Sequence, residues 1–186
     1  AEPAATPGGG SVAALAGALA ASLGQMVAGL SRKKKSQAAF VEQLSAAVDD
    51  LRKAATALAD AIDRDAASYE SVLAAFKLPK ESPDEQARRE EAIQRATKGA
   101  ADVPMQVAEA ALVVYERLGQ LESISGAAMI SDLRVGRLMA AAAVRGALEN
   151  VSINLDSLTD AAYTTQMKAK STELEARLAG SPVTAD

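Results

Sequence analysis

The chain contains no cysteine, no histidine and no tryptophan, and only two phenylalanines and three tyrosines. Without cysteine, disulfides and thiolate nucleophiles are excluded, which agrees with a reducing, cytoplasmic setting. Without histidine, the usual neutral-pH proton shuttle and the commonest metal ligand are missing. Any catalysis must then use Asp, Glu, Lys, Tyr, Ser or backbone dipoles. Few aromatics argue against one thick core, and alanine supplies much of the apolar content. Cores of that kind gain area by association. Basic charge is not in excess either: the net charge is −4, which leaves no electrostatic footprint for nucleic acid. Strand-like alternation and tandem repeats are also missing.

Only one long uncharged run is present, Val12 to Leu30, and it is followed by Arg32, Lys33, Lys34 and Lys35. Its length suits a membrane span. Its content does not, being mostly Ala and Gly with Ser22 and Gln25 inside, and no basic residue precedes it to start a secretion signal. A buried, close-packed helix is the better account, and no membrane partner is expected. Gly17, Ala21, Gly24 and Ala28 recur at steps of four and three, clearing one face for another helix. The missing initiator Met suggests a processed start.

A second helix is traced by Phe40, Leu44, Val48, Leu51, Ala55, Leu58, Ile62, Tyr69, Val72 and Phe76, with Asp65 filling the slot between Ile62 and Tyr69. Ser82-Pro83-Asp84-Glu85 is a helix restart with a capping box. The helical segment that follows is expected to be interrupted at Pro104. The last helical region should run from Ser131 through Asn150 and, with a break or bend, on to Leu178. The fold class is all-α: long antiparallel helices in a bundle-like homo-oligomer. The expected organisation is a single domain over 1–186, with 1–10 as lead-in and glycine loop and 179–186 as a flexible tail.

Three stretches carry candidate chemistry. Gly8, Gly9 and Gly10 form an adaptable loop before Ser11, an expected N-cap, so free amides could converge on one ligand oxygen. A flexible lead-in with a serine cap explains the same residues. Asp65 occupies an apolar slot, where an unpaired charge is costly; it should face a ligand, a cation or an interhelical arginine. Asp132, Gly136, Ala140, Ala143, Ala147, Asn150 and Asn154 share one helical stripe, putting a carboxylate and two amides on a face of very small residues. At 1.5 Å rise per residue Asp132 and Asn154 lie about 33 Å apart, so they serve opposite ends of a groove or meet through a partner subunit. Helix capping by Ser131 and Asp132, and asparagine pairing with bent backbone, remain alternatives.

TPGGGSVAALAGAL, the Asp63-Arg64-Asp65 to Lys80 stretch, the Val103-Pro104 segment and SDLRVGRLMAAAAVRGALENVSINL together resemble the cyclodeaminase and methenyltetrahydrofolate cyclohydrolase family, over roughly Thr6 to Leu158. The chain lacks the Gly-Asn pair that many relatives carry shortly before Ser-Asp, reading Gly126-Ala127 instead. The resemblance implies an all-helical, dimer-based tetrahydrofolate enzyme with its folate groove near subunit contacts. Homodimer or a higher even-numbered assembly is therefore expected, with a folate derivative as substrate and no metal or separate redox cofactor. The preferred activity is cyclohydrolase, because no formiminotransferase module accompanies the sequence; cyclodeaminase is the alternative, and a non-catalytic helical scaffold the third. Asp132 is the expected principal acid/base or cation-stabilising group, with Asp65 supporting, alongside Asp63 and Tyr69. Gly8, Gly9, Gly10 and Ser11 are expected to position the ligand, Lys77 or Lys80 to meet its anionic glutamyl tail, and Asn150 and Asn154 to read the pterin edge.

Overall fold

The computed structural model describes residues 7–181 and 183. Five α-helices follow one another: α1 Gly9–Ser31, α2 Val41–Phe76, α3 Pro83–Glu122, α4 Ile130–Leu155 and α5 Ala161–Ala179. A short 3-10 turn, Lys35–Phe40, leads into α2, and another, Ala127–Met129, leads into α4. No strand occurs among the described residues. The all-α expectation holds.

The first four helices form an up-down-up-down bundle whose geometry follows from where α1 has no side chains. A Cβ on Gly17 would meet Leu58 at 3.1 Å, and one on Gly24 would stand 3.0 Å from Leu51 Cδ1. As α1 ascends, its neighbours on α2 descend in number, so the two are antiparallel. On its other side Ala13 packs on Gly146, Gly17 on Ala143, and the Ala20 carbonyl beside Gly136, which makes α4 antiparallel to α1 too. Leu118 of α3 joins the three: one methyl occupies the space above Gly24 and the other lies 2.9 Å from where a Gly136 Cβ would be. That leucine is fully buried, and the deepest side chains around it are Leu44, Leu51, Leu58, Leu112, Leu121, Leu133 and Val144. The uncharged run that matches a membrane span in length is thus half buried, as the small-residue face of a core helix.

Two boundaries differ from expectation. The N-cap of α1 is Gly8, and Gly9 to Ser11 already lie in the helix. α3 is one continuous helix with Pro104 buried inside it. Its capping box at Ser82 and Glu85 is as expected, with both reciprocal hydrogen bonds made. The break expected in the last region falls between Leu155 and Ala161, where Asp160 caps a new helix by accepting from the Tyr163 amide at 3.0 Å.

α5 then turns back along α3. Lys98 meets Asp160 at 2.6 Å, Lys170 meets Glu109 at 2.6 Å and Arg177 meets Glu116 at 2.9 Å, with the Tyr163 hydroxyl donating to Asp102 at 2.7 Å. Three of these pairs, 102/163, 109/170 and 116/177, advance seven residues on each helix, so α5 and α3 run parallel. Partly exposed ion pairs add little stability, so the buried Met167, Leu174 and Leu178 carry most of the docking. Beyond α5, the Ser181 carbonyl accepts from Arg137 at 2.6 Å and from the Tyr115 hydroxyl. Arg137 itself is buried, stacked 4.5 Å above the Tyr115 ring and paired with Glu122 at 3.1 Å.

Candidate active site

A cavity of about 350 Å³ opens where α1 begins and α4 ends. Gly8 and Gly9 contribute from α1, Asp65, Ser68, Tyr69 and Val72 from α2, Ala100 from α3, and Asn150, Ile153 and Asn154 from α4. Its size suits a small-molecule ligand. Tyr69 and Ile153 stand at its mouth, 40% and 70% exposed.

The glycine run works here by having no side chains. Gly8 has extended angles, φ −95° and ψ −165°, that any residue adopts, and Gly9 and Gly10 are helical. Yet a Cβ on Gly10 would overlap Asp65 Oδ1 and lie 2.6 Å from its Cγ, and one on Gly9 would stand 3.0 Å from Asn150 Nδ2. Two polar side chains therefore approach the first turn of α1 where it is bare. Ser11, buried, donates through its hydroxyl to Asp65 Oδ2 at 2.8 Å and lies 3.2 Å from the Ile62 carbonyl. Ser68 in turn donates to the Asp65 carbonyl at 2.7 Å. No side chain caps α1, so its first amides keep their positive end for the nearby carboxylate and for any ligand anion or carbonyl. Asp65 is accordingly held by a serine beside the start of α1, and no arginine pairs with it among the described residues.

The two asparagines are held from behind. Asn150 Nδ2 donates to the Gly146 carbonyl at 2.8 Å; Asn154 Nδ2 donates to the Asn150 carbonyl at 2.7 Å and to the Ala100 carbonyl at 3.0 Å. Backbone pairing and cavity lining are therefore both true of them. Both hydrogens of the Asn154 nitrogen are thereby engaged, which leaves its oxygen to accept from a ligand, while Asn150 keeps one amide hydrogen and its oxygen.

Of the residues singled out from sequence, Gly8, Gly9, Asp65, Tyr69, Asn150 and Asn154 come together around this cavity, with Gly10 and Ser11 directly behind Asp65. Four others do not. Asp63 is exposed, since two residues along a helix turn its side chain about 200° away from that of Asp65. Lys77 and Lys80 are exposed at the turn after α2. Asp132 is half-buried in the first turn of α4, about 27 Å along that helix from Asn150. Ser68, Val72, Ala100 and Ile153 were not singled out. Ser68 and Val72 follow Asp65 at three and seven residues, the one signal that places them on its face.

Comparison with known proteins agrees with this architecture. The family model described as formiminotransferase-cyclodeaminase matches residues 1–173. The chain is 38% identical over 170 residues to formimidoyltransferase-cyclodeaminase of Gallus gallus, an alignment covering 91% of this chain but 31% of the chicken protein. It is 34% identical over 161 residues to methenyltetrahydrofolate cyclohydrolase of Methylorubrum extorquens, covering 85% of this chain and 76% of that one. The crystal structure of formiminotetrahydrofolate cyclodeaminase from Thermotoga maritima superposes with a TM-score of 0.86 at 30% identity, over 96% of this chain and 85% of that one. The chain thus spans under a third of the vertebrate relatives and most of the bacterial ones. A shared helical fold and a family match along nearly the whole sequence make this chain a member of the formiminotransferase-cyclodeaminase family.

Proposed function

We propose that the protein is a methenyltetrahydrofolate cyclohydrolase and that the cavity around Asp65 is its folate site. The observation that carries this is the convergence of one carboxylate, two carboxamides and the open N-terminus of α1 on a single cavity. The substrate carries a cationic carbon bridging the nitrogens at positions 5 and 10. Asp65 faces that cation, stabilises it and takes a proton from the attacking water. The tetrahedral adduct collapses as its bond to the nitrogen at position 5 breaks and that nitrogen regains a proton, leaving 10-formyltetrahydrofolate. Asn150 and Asn154 remain neutral beside the cation and accept from the pterin ring, while the α1 amides take a carbonyl or carboxylate oxygen. No metal or redox cofactor enters this scheme.

The exposed Lys77 and Lys80 are assigned to the glutamyl tail. Asp132 is assigned to a second copy's groove, since α1 and α4 present exposed Val12, Leu15, Leu19, Met26, Leu30, Val135 and Leu138 for a homodimer contact. The setting proposed is the cytoplasm.

Cyclodeaminase is the second reading, favoured by the names of the vertebrate relatives and of the Thermotoga maritima structure. There the nitrogen at position 10 attacks a 5-formimino carbon, and ammonia leaves. The same carboxylate would stabilise the amidinium-like charge. Two assays separate them: loss of the methenyl chromophore above its uncatalysed rate supports cyclohydrolase, and ammonia release from 5-formiminotetrahydrofolate supports cyclodeaminase. Neither activity would leave a helical scaffold.

A further inference from the structure

Pro104 leaves one carbonyl of α3 without its helical donor. The acceptor four residues back is Ala100, and a proline has no N–H to give it. Ala100 is buried, and its carbonyl accepts across the α3/α4 interface from Asn154 Nδ2 at 3.0 Å. The second hydrogen of that nitrogen goes to the Asn150 carbonyl at 2.7 Å. A carboxamide nitrogen has two hydrogens, so Asn154 has committed both to backbone. Its amide plane is thereby fixed, and its oxygen is what it offers the cavity that it lines.

From this we infer that Pro104 is a positioning residue for the ligand site, acting through Ala100 and Asn154. Withholding one N–H from α3 ties down the Asn154 nitrogen and makes Asn154 an acceptor-only contact, suited to the amino group and ring N–H of an aminopyrimidinone. Pro104 is buried and does not line the cavity, so it touches no ligand itself. The inference rests on the folate assignment for the identity of the occupant; the coupling between positions 104 and 154 does not.

The experiment is a double-mutant cycle on the full chain, read by thermal melting and by tetrahydrofolate binding; tetrahydrofolate lacks the one-carbon bridge and so does not react. In the parent, Asn154→Ala orphans the Ala100 carbonyl and should lower Tm by roughly 2–6 °C. In a Pro104→Ala background the restored N–H answers that carbonyl, and the same change should cost less than half as much. Pro104→Ala alone should weaken tetrahydrofolate binding by roughly tenfold without a matching loss of Tm, because the restored N–H competes for the Ala100 carbonyl and leaves the carboxamide with one firm anchor, at the Asn150 carbonyl. If Pro104→Ala fails to fold, Pro104→Val supplies the same N–H with volume closer to proline. Additive Tm losses would overturn the coupling. Coupled losses with unchanged tetrahydrofolate affinity would overturn the positioning role and leave Asn154 as a structural patch. A parent protein that binds no tetrahydrofolate would overturn the folate assignment, and the ligand role of Pro104 with it, even where the Tm coupling is found.

Discussion

Asp65 rests against Gly10 so closely that a Cβ at position 10 would lie 2.6 Å from the carboxyl carbon. The neighbouring Ser11 hydroxyl holds the same carboxylate at 2.8 Å, so one turn of α1 both clears the space and fixes the occupant. Gly10→Ala should therefore push Asp65 out of place. Alanine favours the helix by about 1 kcal/mol over glycine, which offsets part of the steric cost. The expected result is a fall in kcat of roughly tenfold or more, as for the loss of one charge-assisted contact, with a change in unfolding free energy under about 2 kcal/mol. Steady-state kinetics beside chemical denaturation tests this; unchanged kcat would mean that Asp65 need not sit where it does.

Gly24 makes the opposite separation. It lies in mid-helix, remote from the cavity, and a Cβ there would overlap a methyl of Leu118, which is fully buried and also confined by Gly136. Gly24→Ala should overpack the core and cost about 1–3 kcal/mol, despite alanine's better helix propensity. Melting should shift downward while kcat of the folded protein stays near the parent's. A rise in Tm would show that Leu118 has room to move.

α5 should come loose at both ends of the pH scale. The hydrogen bond from Lys98, followed by that from the Tyr163 amide, holds Asp160 below its ordinary 3.8, so its contribution is full above that value and lost as pH falls below it. Burial, and then the hydrogen bond to Asp102, raises Tyr163 above its ordinary 10.0, so its contribution is full below pH 10.0 and lost as pH rises beyond it. Hydrogen-exchange protection of the α5 amides, relative to the intrinsic rate at each pH, should fall below about pH 3.8 and above about pH 10, before that of the α1 to α4 amides. A uniform fall in protection across all five helices would contradict a separately docked α5.

The exposed apolar face of α1 should be covered by a second copy. Leu15 and Leu19 are 47% and 50% exposed, four residues apart on one face with Val12. Leu15→Glu combined with Leu19→Glu should convert an even-numbered oligomer to monomer in sedimentation and lower turnover if Asp132 serves the neighbouring groove. A parent protein that sediments as an active monomer would remove the interfacial role of Asp132.

How far the sequence foretold this arrangement varies by residue. The helices themselves were legible, because apolar steps of three and four mark α2 and the capping box marks the start of α3. Asp65 was legible as a charge in an apolar slot. The glycines stood out in the sequence but not for the right reason: local pattern suggests an adaptable loop, whereas what requires them is contact with Asp65 and Asn150, more than fifty and one hundred residues away in the chain. Pro104 misled because its broken hydrogen bond is repaired from α4 by Asn154, a tertiary compensation invisible to local rules. Asp132 shares a stripe with Asn150 and Asn154, yet a shared face says nothing of closeness along a helix of 26 residues.

The most direct test of the account compares Asp65→Asn with Asp132→Asn and the parent in methenyltetrahydrofolate turnover, following loss of the methenyl chromophore, with circular dichroism confirming the fold of each. Asp65→Asn should lose roughly a hundredfold or more in kcat, as expected for removal of a positioned general base, while tetrahydrofolate still binds. Near-parental turnover by folded Asp65→Asn would contradict it, and would contradict it most plainly if Asp132→Asn alone abolished activity.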